Sequence, residues 1–144
     1  FWQRTSPHPI MLSFAAPMRE ACTVRRFRTN TPLQALTTMN EPMFLEASRT
    51  MAARVLRRPG NDEARIQATY EMAFSRPPRP AELTLVRGAL ARYREKYGKD
   101  PTAAEKLLKV GDFPRSKEIP APEHAAWMLV CSTLMNTDEF LTQH

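Results

Sequence analysis

The 144-residue sequence predicts an all-α fold, a compact bundle of five to six helices preceded by an irregular N-terminal arm. Three observations carry this. From Thr31 onward apolar side chains recur at steps of three and four, prolines and glycines fall where helices start and stop, and no pair of segments alternates with the period of two that a sheet requires. An apolar share of 42% with 25% charged residues suits one globular core and argues against disorder. No stretch approaches the roughly 18 apolar residues of a spanning helix, so no membrane span is expected.

Residues 1–31 hold three of the thirteen prolines and no helical period, which reads as an extended arm belonging to an upstream domain, with 32–144 as the helical domain and the two forming one structural unit. The run Ile10 to Ala16 suits either a short strand or an apolar segment packed on the helices. Asn30 or Thr31 can cap the first helix, with Pro32 in its first turn and Leu33, Leu36 and Thr37 at helical spacing. Asn40 reads as the cap of the next, in which Phe44, Ala47, Met51 and Val55 form a stripe. Arg49, Arg54, Arg57 and Arg58 fall away from that stripe or crowd the last turn, and Pro59-Gly60 ends the helix.

Asn61 caps a third helix whose face is Ile66, Tyr70, Ala73 and Phe74, and Arg76-Pro77-Pro78-Arg79-Pro80 stops it. Leu83, Val86, Leu90, Tyr93 and Tyr97 give the clearest helical period, with Gly98 placed to end it. A shorter helix follows over Pro101–Val110, anchored by Leu107 and Leu108, then a loop over 111–120. The last long helix starts near Pro120–Pro122 and buries Ala126, Trp127, Val130, Cys131 and Leu134. Asn136 to Glu139 begin a further turn that ends at Phe140-Leu141.

Charge is one-sided. Residues 1–58 hold nine Arg, no Lys and three Glu, a net of +6, whereas residues 59–144 balance twelve bases against twelve acids. Such a segment suits an anion-binding face or a surface that meets an acidic neighbouring domain. Nucleic acid is disfavoured because no recognised motif or aromatic-rich basic strand accompanies the charge.

The strongest candidate ligand site is Arg25 to Gln34. Arg25, Arg26 and Arg28 precede a helix N-terminus that carries Asn30, Thr31 and Gln34, an arrangement that suits sulfate, phosphate or uronate. The competing interpretation is helix capping, with the arginines paired to Glu20, Glu41 or Glu46. Cys22 and Cys131 can close nearly the whole chain as a disulfide, worth roughly 4–5 kcal/mol by loop entropy, or can simply be two small buried side chains.

Asn40-Glu41 and Asn136 to Glu139 offer oxygen ligands for a hard cation without the spacing of a calcium loop, and helix caps explain them equally. Asp138 and Glu139, adjacent on a helix, diverge by about 100° and make no paired acid and base. His8, His124 and His144 form no catalytic constellation, and there is no metal or haem motif, so no cofactor is expected in this fragment. Trp127 reads as core, while Trp2 stays open between core and sugar stacking.

Four blocks resemble a known family: Arg25 to Leu36, Met39-Asn40-Glu41-Pro42, Phe74 to Leu83, and Leu134 to Phe140. Together they are similar to the C-terminal part of the planctomycete-type domain of unknown function 1553. That resemblance implies a piece of a longer, exported, periplasmic or otherwise extracytoplasmic polypeptide, consistent with a chain that opens Phe1-Trp2 without an initiator Met. It also implies upstream domains as partners, haem in a cytochrome c-like segment of the parent protein, and a link to polysaccharide breakdown. No reaction is implied residue by residue. Phe14 to Glu20 resembles a family block that usually has Asp where Ala15 stands.

Three functions follow in order: a structural or docking domain, a binding module for anionic polysaccharide, and part of an enzyme completed by upstream residues.

Overall fold

The computed structural model describes residues 8–17, 22, 24 and 31–142. Those residues form eight helices and no strand: α1 (Pro9–Ser13), α2 (Pro32–Asn40), α3 (Pro42–Leu56), α4 (Asp62–Phe74), α5 (Pro80–Lys99), α6 (Pro101–Leu108), α7 (Ala121–Met135) and α8 (Asp138–Leu141). Six of them have eight residues or more, so the all-α bundle of five to six helices is borne out. The run beginning at Ile10 is not a strand: it makes one helical turn, which Ala15 closes at a left-handed φ of 48°.

The axis of the bundle is α7, packed on α3, α5 and α6. It is apolar on every side, as a helix surrounded by others must be. Ala125, Ala126, Trp127, Met128 and Cys131 are wholly buried there, with Val130 and Leu134 nearly so. Ser48, Ala52 and Ala53 on α3, small and buried, line its inward face. Around this axis Val55, Ile66, Tyr70, Leu90, Tyr97, Ala104 and Leu108 complete one core.

Helix boundaries follow the prolines. Pro32, Pro42, Pro80 and Pro101 each occupy a first turn, where the missing N–H costs nothing. Asn61 Oδ1 accepts from Ala64 N at 2.9 Å, the cap expected there. Two caps differ from expectation, and α6 ends at Leu108, two residues short of Val110. Asn40 ends α2, its amide donating to the Leu36 carbonyl at 2.8 Å, and Glu41 precedes α3 without a side-chain cap. Gly98 lies inside α5, because Asp100, which caps α6 through the Ala103 N–H, sets the break two residues later.

Two arginine clamps tie the outer helices to the core. Arg94 of α5 makes paired bonds to Asp62 at the start of α4 and to Glu123 at the start of α7, and Trp127 Nε1 donates to Glu123 Oε1 at 2.9 Å. Arg76 grips Glu82 of α5 and Glu139 of α8 in the same manner, with its guanidinium 5.5 Å from the ring centres of Tyr70 and Phe74. The Glu82 carboxyl is lowered to about 2, chiefly by Arg76, and Asp62 is lowered chiefly by Arg94.

Candidate functional site

Of the anion-site residues predicted from sequence, Arg25, Arg26, Arg28 and Asn30 lie outside the described residues, as does Trp2. Thr31 and Gln34 are committed to architecture. Thr31 Oγ1 accepts from the Gln34 N–H, and Gln34 Oε1 accepts from the Thr31 N–H at 2.8 Å, a reciprocal capping box. Gln34 Nε2 then donates to the Ser13 carbonyl at 2.7 Å, fastening α1 to α2.

The Cys22–Cys131 disulfide is not formed. Cys131 faces the core from α7, Cys22 is solvent-exposed, and both are free thiols. Burial pushes the Cys131 thiol up to about 12, so it is an inert core side chain. Among the described residues no group of three or more His, Cys, Asp or Glu converges. Asn136 Oδ1 instead accepts from the Thr38 hydroxyl at 2.6 Å, joining α2 to the end of α7.

These contacts reverse the polarity of α2. Its buried side chains are Gln34 and Thr38, at 1% and 3% exposure, while Leu33, Leu36 and Met39 stand 61%, 58% and 54% exposed. The sequence stripe that began at Leu33 and Leu36 was expected to face the core, and it faces outward. Hydrogen bonds, formed only where the inner face is polar, decide the orientation, because a buried Gln side chain without partners costs more than an exposed Leu.

Met43, 60% exposed at the start of α3, continues the outward surface. It also borders a groove of about 580 Å³ floored by Met51, Met72, Met135 and Phe140. Thioether side chains re-pack readily, which suits such a surface to a partner of irregular shape.

A second feature lies on the other side of α3. Arg49, expected to fall away from the apolar stripe of α3, is only 3% exposed. Its guanidinium donates to the carbonyls of Leu108, Val110 and Phe113, satisfying the end of α6 and the chain beyond it. Glu46, one turn earlier, accepts from the Phe113 N–H at 2.9 Å. Gly111 passes so close, at φ 92°, that an added Cβ would fall 2.3 Å from Glu46 Oε2.

Beside this staple is a cleft of about 330 Å³ lined by Arg49, Arg54, Arg57, Arg115, Ser116 and His124, among others, with no acid among the described residues of its wall. His124 is buried on α7, and its Nε2 lies 3.0 Å from the Arg49 carbonyl. Desolvation lowers its pKa, aided by Arg115, Arg49 and Arg57, so the ring is neutral, with Nε2–H donating and Nδ1 a lone pair without a partner among the described residues.

Sequence reasoning missed the cleft because its walls come from positions about 60 to 75 residues apart. The one local signal was a histidine set between the apolar neighbours of α7.

A family model described as PSD1, Protein of unknown function (DUF1553), matches residues 1–90, which take in α1 to α4 and the first half of α5. No curated protein and no solved structure is significantly similar to the chain.

Proposed function

The chain belongs to the DUF1553 family, and on that footing we propose that it is a docking domain, which packs the outer face of α2 and the adjoining methionine groove against an upstream domain of its own polypeptide. The observation that carries this is the reversed polarity of α2, with three large apolar side chains outward and two polar ones inward. A helix held in that orientation by Gln34 and Thr38 keeps its apolar stripe available for another surface. The net +6 of residues 1–58 favours a neighbour whose complementary face is apolar with an acidic rim.

Hydrogen exchange on the longer polypeptide and on this chain alone tests the assignment. Slower exchange of α2 amides in the longer polypeptide supports it. Equal exchange contradicts it, as does a chain that dimerises through α2.

The wider setting that goes with this function is an exported multidomain protein, extracytoplasmic and engaged in polysaccharide breakdown or carrying haem upstream. It rests on the four family-like sequence blocks. A haem-stained band in the longer polypeptide and its recovery from the periplasmic fraction are the expected results.

A second function, binding of anionic polysaccharide, is favoured by the Arg25, Arg26 and Arg28 cluster. Retarded migration in a gel containing a sulfated or uronic polymer, lost when all three become Ala, is its expected signature.

A further inference from the structure

The cleft between α3 and the chain at 113–116 adjoins the methionine groove at Arg54, which lines both, but its chemistry is of a different kind. Two of its four arginines are already engaged. Arg49 serves backbone carbonyls, and Arg115 pairs with Glu105 and reaches the carbonyls of Ser116 and Ile119.

The other two are available. Arg54 is exposed and has no ion-pair or hydrogen-bond partner among the described residues. Arg57 reaches Ser116 Oγ at 3.2 Å and stands 3.9 Å from Glu118, an exposed pair that a better acceptor displaces at little cost.

At the base of the cleft is His124, 1% exposed, whose Nε2–H is committed to the Arg49 carbonyl. That commitment leaves Nδ1 as an acceptor with no donor among the described residues. A buried acceptor without a partner is costly, and beside it Arg54, with no acceptor among the described residues, and Arg57, held only by Ser116 and an exposed pair with Glu118, ask for the opposite complement. A bare anion answers the arginines but meets the Nδ1 lone pair with another. A neutral hydroxyl answers His124 alone.

We propose that this cleft binds a small oxyanion that also carries a hydroxyl, its charged oxygens on Arg54 and Arg57 and its O–H donating to His124 Nδ1. The volume of about 330 Å³ lies at the small end of ligand sites and suits one phosphate-sized or sugar-acid-sized group. Inorganic phosphate and glucuronate share this chemistry, whereas sulfate at neutral pH lacks the hydroxyl.

Titration of the chain with each of the three, followed by calorimetry and by the ¹⁵N resonances of the His124 ring, tests the proposal. Saturable binding of phosphate or of glucuronate is expected, with sulfate weaker by on the order of fivefold and with the Nδ1 resonance shifting as the site fills. Binding of phosphate alone assigns the site to a phosphate group, and binding of glucuronate alone to a sugar acid.

Arg54→Ala and Arg57→Ala, both at exposed positions, each weaken binding roughly tenfold while leaving the thermal midpoint in place. The proposal is overturned if neither probe saturates, if sulfate binds as well as both, if Nδ1 does not shift, or if binding survives loss of Arg54 and Arg57.

Discussion

Helices α2 and α7 both carry apolar residues at helical spacing, yet they end in opposite arrangements. In α7 the apolar residues are inside: Trp127, Met128 and Cys131 are inaccessible. In α2 they are outside, and Gln34 and Thr38 face the protein instead. The difference teaches that the two regions are held by different forces. The bundle around α7 is held by burial of apolar surface and stapled by buried arginine, while α2 is held by a few directed hydrogen bonds to Ser13 and Asn136. Removing apolar groups therefore damages the first region and spares the second, and removing polar groups harms each in its own way.

The largest contrast is expected between Arg49→Ala and the double substitution Leu33→Ser with Leu36→Ser. Loss of Arg49 strips the carbonyls of Leu108, Val110 and Phe113 of their donor. It should lower unfolding free energy by about 3 kcal/mol or more in a urea titration. The double substitution on α2 should shift it by no more than about 0.5 kcal/mol. Equal losses would erase the distinction between the regions.

Gln34→Ala sharpens the comparison. It removes the side-chain half of the α2 capping box and the bond to Ser13 together, and a cost of about 1–2 kcal/mol is expected. The cost should be confined to α1 and α2, so that their amides exchange faster while those of α7 do not. Acceleration spread over α7 would mean that α2 belongs to the core.

Acid provides a smaller, reversible probe of the bundle. Glu82 is lowered in the folded protein to about 2 from an ordinary value of 4.5, so its stabilising contribution is complete above pH 4.5 and fades as pH falls from there toward 2. After solvent screening the loss is on the order of 1 kcal/mol, and Glu82→Gln should flatten it. A profile over that range unchanged by the substitution would remove Arg76 as a clamp. His124 acts at higher pH. Its pKa is lowered by burial and by Arg115, Arg49 and Arg57, so stability declines as pH drops below 6.5.

The smallest effects come from two left-handed residues, one in each region. Ser75 ends α4 at φ 55° and Ala15 follows α1 at φ 48°. Glycine at either position relieves strain worth about 0.5 kcal/mol. Ser75→Gly should raise the cooperative thermal midpoint, whereas Ala15→Gly should only slow local exchange. The reverse pattern would place α1 within the cooperative unit.

Much of the bundle was legible because long helices with unambiguous stripes, such as Leu83 to Tyr97, leave one way to face a core, and prolines mark their starts. The orientation of α2 was not legible. Leu33 and Leu36 have the spacing of a buried stripe, and only the distant Ser13 carbonyl and Asn136 side chain reveal that Gln34 and Thr38 face inward. Arg49 was misplaced for the same reason, since the three carbonyls that bury it come from the chain around 108–113. The cap at Thr31 was readable because its partner is three residues away, whereas the cleft needed Arg54, Ser116 and His124 to be brought together by folding.

The reversed helix is tested most directly by methyl NMR of the chain with a soluble paramagnetic agent. Leu33, Leu36, Met39 and Met43 methyl signals should broaden strongly while those of Leu90, Leu108 and Met128 stay sharp. Protection of the first group to the level of the second would contradict an outward-facing stripe on α2.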